Sequence, residues 1–197
     1  MRRLLVILAA LALVVPVASL AASANVADLP AGSFFLDKKH TSVIAKVMHL
    51  GVSLYTMRFN TADASFTYDP AHPDSAAVKA TVDTTSLDVG ASYGRQFAQE
   101  FLDAGKYPTA TFVSTALARA PDGRTGTMTG DLTLRGVTRP VVFEVTFLGV
   151  GHGLLGGTIT GFSARTTIKR SQFGSTYLQS LVGDDVRIEI EAEFDRK

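Results

Sequence analysis

The sequence predicts an all-β domain: an antiparallel sheet of eight or so strands with one short helix. Alternation is the first reason. Within 186–195, Val186, Ile188, Ile190, Ala192 and Phe194 fall on one face, and Arg187, Glu189, Glu191, Glu193 and Asp195 on the other. That is the period-two mark of a strand with one dry side. The second reason is punctuation, because turn-forming clusters recur between the alternating runs. The third is that a single stretch, 94–103, adopts helical spacing, with apolar positions at Phe97, Ala98, Phe101 and Leu102.

Along the chain, residues 1–24 read as a secretory signal peptide. Met1-Arg2-Arg3 is a positive start, residues 4–18 carry no charge, and Ala22-Ser23-Ala24 matches an A-x-A cleavage site, with a second cut available after Ala21. Residues 25–197 then form one domain of 173 residues (197 less 24), enough for a sizeable core. Residues 25–32 are small, polar and marked by Pro30 and Gly32, as expected of a leader arm.

Strands are expected at 33–37, 42–49, 57–68, 76–87, 109–117, 126–134, 140–148, 157–168 and 186–195. In 42–49, Val43, Ala45 and Val47 oppose Ser42, Ile44, Lys46 and Met48. In 140–148, Val141, Phe143, Val145 and Phe147 oppose Glu144 and Thr146. Turns are expected at 69–74, Pro121-Asp122-Gly123, Arg135-Gly136 and Gly183-Asp184. The helix falls between the fourth and fifth strands and ends before Pro108, which biases Tyr107 away from helix. Closure into a barrel removes the exposed edges of such a sheet. An eight-stranded barrel is either just filled by its own side chains or holds one small ligand. A two-sheet sandwich satisfies the same periodicity.

Composition narrows the function classes. Losing Arg2 and Arg3 with the leader takes Lys+Arg from 19 to 17 against 18 Asp+Glu, a formal net charge of −1. This gives no electrostatic case for nucleic acid, and no basic run marks a polybasic membrane patch. The absence of cysteine excludes disulfides, thiol catalysis, zinc–thiolate sites and a lipoprotein anchor. Residues 151–156 spell G-x-G-x-x-G, but a dinucleotide fingerprint needs a helix next and the strand-like TITGFSARTTI follows. No cofactor is therefore expected. His40, His49, His72 and His152 lie at no metal-ligand spacing, and Asp184-Asp185 lacks the alternating oxygen donors of a calcium loop. No nucleophile elbow is present, so no catalytic residue is assigned. Twelve phenylalanines suit a filled core and an apolar lumen equally.

Four blocks carry a resemblance. They are Leu36-Asp37 with His40-Thr41-Ser42-Val43 through Ser53; Phe101-Leu102-Asp103 with Tyr107-Pro108-Thr109 through Ser114; Gly130-Asp131-Leu132-Thr133-Leu134-Arg135-Gly136-Val137 through Pro140; and Gly161-Phe162-Ser163-Ala164 with Arg170-Ser171-Gln172-Phe173-Gly174 and Val182-Gly183-Asp184. In this order, over roughly 33–194, the chain resembles the YceI-like family. The resemblance implies an exported, periplasmic, lipocalin-like antiparallel barrel that binds a polyisoprenoid or other amphiphilic lipid and is not an enzyme. One position and one four-residue stretch depart from the family pattern. Met57 stands where glycine is usual, and Arg95-Gln96-Phe97-Ala98 replaces a more basic stretch, so no head-group role carries over to the helix.

On that reading the lumen face is the apolar set of each strand: Val43, Ala45, Val47, Phe59, Phe66, Phe112, Leu132, Val141, Phe143, Val145, Phe147, Phe162, Ala164 and Ile168. Ser114, Thr166 and Arg170, near strand ends, are the candidates for a polar head group. The leading function is storage or transport of an isoprenoid-type lipid, polyprenyl or quinone-like. The second is a non-enzymatic interaction or stress module whose barrel is filled and whose loops engage a membrane redox partner. Oligomeric state stays open, with a homodimer among the options.

Overall fold

The computed structural model describes residues 22–154 and 156–197. The charge-free run at 4–18, expected to belong to a signal peptide, lies outside the described residues. Among the described residues, eleven strand segments form one antiparallel sheet: β1 (Gly32–Leu36), β2 (Ser42–His49), β3 (Ser53–Phe59), β4 (Ala62–Tyr68), β5 (Ala77–Asp83), β6 (Leu87–Asp88), β7 (Thr109–Arg119), β8 (Thr125–Leu134), β9 (Val137–His152), β10 (Thr158–Lys169) and β11 (Val182–Arg196). Helix α1 (Gly94–Leu102) follows β6. The pairing of Phe34 with Arg196 joins β1 to β11 and closes the sheet into an eight-stranded barrel.

Six of the segments are halves of three long staves. β1 and β4 pair around Phe34 and Phe66, while β2 and β3 pair around Val43 and Phe59. β11 receives β1 along its C-terminal part and β2 along its N-terminal part. Side chains make the breaks. Asp37 accepts the Lys39 N–H at 2.8 Å, and its carbonyl takes the Thr41 hydroxyl at 2.8 Å. In the next stave the Thr61 N–H donates to Ser86 Oγ at 3.0 Å, and Asp83 caps the 3-10 turn Thr84–Ser86. The expected strands at 33–37 and 42–49 are thus one stave, so the helix, which follows the expected strand 76–87 and precedes 109–117, lies between the third and fourth staves. Period two cannot show this, because alternation on each side of a break looks like two strands.

α1 matches its predicted span to within a residue at its end. Gly94 starts it against the Leu87 carbonyl, where a Cβ would collide. Asp103, in the left-handed region at φ 50°, ends it, and the Gln99 amide bridges Asp103 and Gly105. Among the described residues no helix is long and apolar enough to cross a membrane. Outward charges flank the ladder, with Lys46 on Glu189 at 2.6 Å and Arg165 on Glu144 at 2.7 Å. Inward, Phe34 stacks on Phe66 with ring centroids 4.6 Å apart, and Phe194 meets Phe66 edge-on.

Candidate functional site

The inward faces of the staves enclose a cavity of about 490 Å³, within the ~300–1,000 Å³ typical of small-molecule sites. A barrel of this size can be filled by its own side chains; this one is not. At one end, Phe34, Phe66, Phe147 and Phe194 pack with Leu29 of the arm before β1. α1 covers part of the other end, bringing Phe97 and Phe101 to the wall. Gly130 makes room within the wall, since a Cβ there would run into the Phe112 ring, which packs edge-on against Phe143 at 5.2 Å.

All but three of the side chains expected at the lumen line this cavity: Val43, Ala45, Val47, Phe59, Phe66, Phe112, Leu132, Phe143, Val145, Phe147, Phe162, Ala164, Ile168 and Arg170. Val141 is buried but packs behind them with Phe112, Phe143, Ile168 and Phe173. Ser114 and Thr166 serve the backbone where ladders part. The Val78 N–H, one residue beyond the last β5–β7 pair, donates to Ser114 Oγ at 2.8 Å. The Thr166 hydroxyl donates to the Val142 carbonyl at 2.7 Å, just past the last β9–β10 pair.

Arg170 reaches the wall with its guanidinium engaged. Nε donates to the Gly183 carbonyl at 2.9 Å, one terminal nitrogen to Ser175 and Tyr177 at 3.0 and 2.9 Å, and the other to Val182 at 2.8 Å. The Phe101 ring lies 5.6 Å below. Burial pushes its pKa down, and the four carbonyls fix the segment 175–183 over the barrel end. Beside it Asp184 accepts both the N–H and the hydroxyl of Ser171 at 2.8 Å. Those bonds, the backbone one first, hold its carboxyl below the usual range. Asp185 pairs with Lys169 at 2.8 Å across the β10–β11 ladder, so the turn expected at Gly183-Asp184 is instead the irregular start of β11, where the register with β2 shifts between Val182 and Val186.

Sequence reasoning missed other wall residues. Val186, Ile188 and Ile190 of β11 and Val78, Ala80 and Val82 of β5 line the cavity; the same period-two pattern would have found those of β11. Phe97 and Phe101, four apart on α1, carried a usable helical signal. Val26 and Leu29, in the arm, carried none.

Away from the lumen, the glycine run forms the β9–β10 connection, with Gly156 and Gly157 at φ 91° and 83°. Asp37, His40 and Glu193 bring ligand-type atoms within 4.8 Å of one another on the barrel exterior. His40 Nδ1 lies 2.8 Å from Asp37 and 3.7 Å from Glu193, and the Asp37 hydrogen bond is the main cause raising its pKa.

A family model described as YceI-like domain matches residues 34–194. The chain belongs to the YceI-like family. It is 38% identical over 172 residues to a UPF0312 protein of Vibrio campbellii, covering 85% of this chain and 88% of that one. The crystal structure of BcnA from Burkholderia cenocepacia matches this YceI-like barrel with a TM-score of 0.71 at 30% identity, over 80% of this chain and 98% of that one. A polyisoprenoid binding domain from Saccharophagus degradans, implicated in plant cell wall breakdown, matches with a TM-score of 0.60 over 83% of this chain and 98% of that one. At 14% identity that likeness is one of fold. Met57 packs with Phe59 and Phe97 around the buried Leu87 and Ala98 and so fills the space beneath α1.

Proposed function

We propose that this chain is a periplasmic binding protein that holds a long apolar isoprenoid-type lipid, polyprenyl or quinone-like, in its lumen for storage or transport. The observation that carries the reading is the apolar cavity of about 490 Å³ running between the phenylalanine end and α1. The polyisoprenoid binding domain of Saccharophagus degradans, with the same fold, supports the ligand class. Burying about twenty carbons contributes on the order of 16 kcal/mol gross. Ordering and association costs remove much of it, which leaves room for micromolar or tighter affinity. With Ser114, Thr166 and Arg170 engaged by backbone groups, affinity on this reading comes from the tail.

The test is native mass spectrometry of gently purified protein, followed by solvent extraction. A co-purifying apolar molecule with an isoprenoid or quinone mass is expected; a clean unliganded mass that added polyprenol or quinone does not shift would overturn the reading. Export is tested by fractionation. Release by osmotic shock, with a mature N-terminus between Ala22 and Asn25, is expected; full-length chain in the membrane pellet would count against it.

A further inference from the structure

The end of the barrel beside α1 is unlike the rest of the surface. Three segments meet there: 47–57, 89–94 and 171–183. None contains Asp, Glu, Lys or Arg, in a chain with 19% charged residues. They are physically joined. The Leu50 N–H donates to the Leu181 carbonyl at 2.8 Å, Tyr55 and Tyr93 both pack on Phe97, and Tyr177 packs on Phe101. Of the thirteen large apolar side chains exposed among the described residues, eight belong to these segments. Val52 at the β2–β3 tip is 85% exposed and Leu50 beside it 55%.

Backbone conformation sharpens the point. Four described non-glycine residues have positive φ, and two of them are Leu50 at 53° and Leu178 at 49°. Such positions favour Gly, Asn or Asp, yet each carries an exposed leucine. The patch also continues into the lumen, because Leu178 and His49 both line the cavity and reach the surface.

We propose that this end docks on a lipid bilayer surface, with Leu50, Val52 and Leu178 entering the apolar layer so that ligand passes between membrane and lumen. The purpose assigned to the contact rests on the lipid-binding reading above; the contact itself does not. The lack of charge selects the occupant. Protein partners are chosen through polar rims and charge patterns, whereas projecting uncharged tips backed by tyrosines match an interface of headgroups over hydrocarbon.

The experiment is co-sedimentation of the mature protein with phosphatidylcholine vesicles, comparing wild type with the double variant Leu50→Asn/Leu178→Asn. Asparagine accepts left-handed φ, so the unfolding temperature should hold or rise. Vesicle binding should weaken about tenfold or more, and binding by the wild type should change little when salt is raised about tenfold, because no charge pairs are involved. Equal binding by variant and wild type would overturn the proposal. So would a wild type that ignores vesicles, whether light scattering shows a monomer or a dimer that the variant splits. Vesicle binding lost in the variant with no lipid ever extracted from the lumen would leave the docking standing and sink the carrier reading.

Discussion

Arg170 shows how a single side chain can look functional and act structurally. A charge only 5% exposed must be matched or it destabilises the fold, and here carbonyls of residues 175, 177, 182 and 183 do the matching. Lysine presents one ammonium without the planar fork, so Arg170→Lys leaves several of those carbonyls without a partner at about 1–3 kcal/mol each. Chemical denaturation should show a loss of at least about 3 kcal/mol even without lipid. A loss under about 1 kcal/mol would mean the 175–183 segment is held by something else. Ser114 and Thr166 teach the same lesson, since a hydroxyl at a strand end is within reach of a backbone group its ladder no longer serves.

Strand β9 separates two roles within one element. Phe143 is buried and faces the cavity, while Glu144 points outward to an exposed ion pair with Arg165. In a filled core, Phe143→Trp would typically cost about 1–3 kcal/mol by overpacking. Because open volume lies beside this ring, the larger side chain should take ligand space instead. Lipid capture falls, and delipidated stability changes by less than about 1 kcal/mol. Glu144→Gln should move neither by more than about 0.5 kcal/mol, as for most exposed pairs. Thermal unfolding of delipidated protein alongside lipid retention measures both; severe destabilisation by Phe143→Trp with unchanged capture would refute the assignment.

At the scale of the whole molecule, closure depends on both chain ends. β1 and β11 meet at residues 34–36 and 194–196, and the arm before β1 seals the phenylalanine end. Ser23 pairs with Val150, Asn25 caps the turn Val26–Asp28, and Leu29 is 3% exposed against the core. Leu29→Ala should therefore destabilise by about 2–5 kcal/mol and speed loss of bound lipid, read by unfolding and by retention after dilution. Unaltered stability would show the arm to be dispensable. On the proposed export, cleavage after Ala21 would keep the Ser23 bridge and cleavage after Ala24 would remove it, so N-terminal sequencing of the secreted fraction decides whether that contact exists in the mature chain.

Strand faces, hairpin turns and the helix were legible because each is a local property. Alternation in β9 and β11, the left-handed Arg135-Gly136 turn and the spacing of Phe97 and Phe101 all follow from residues close in sequence. The same alternation placed Val43, Ala45, Val47, Phe143 and Phe147 on the inner face. What lies opposite that face is not local. Whether Phe112 meets Phe143 or a void depends on strand number, stagger and a glycine on the neighbouring stave, and period two is identical for a sandwich, a filled barrel and an open one. The broken staves, the arm beneath Phe66 and Phe147, and the carbonyls around Arg170 come from contacts between segments distant in sequence or from where neighbouring ladders part. Only the tertiary structure decided those, because a backbone group needs a side-chain partner only where its own ladder has ended, and where ladders end is set by closure of the whole barrel.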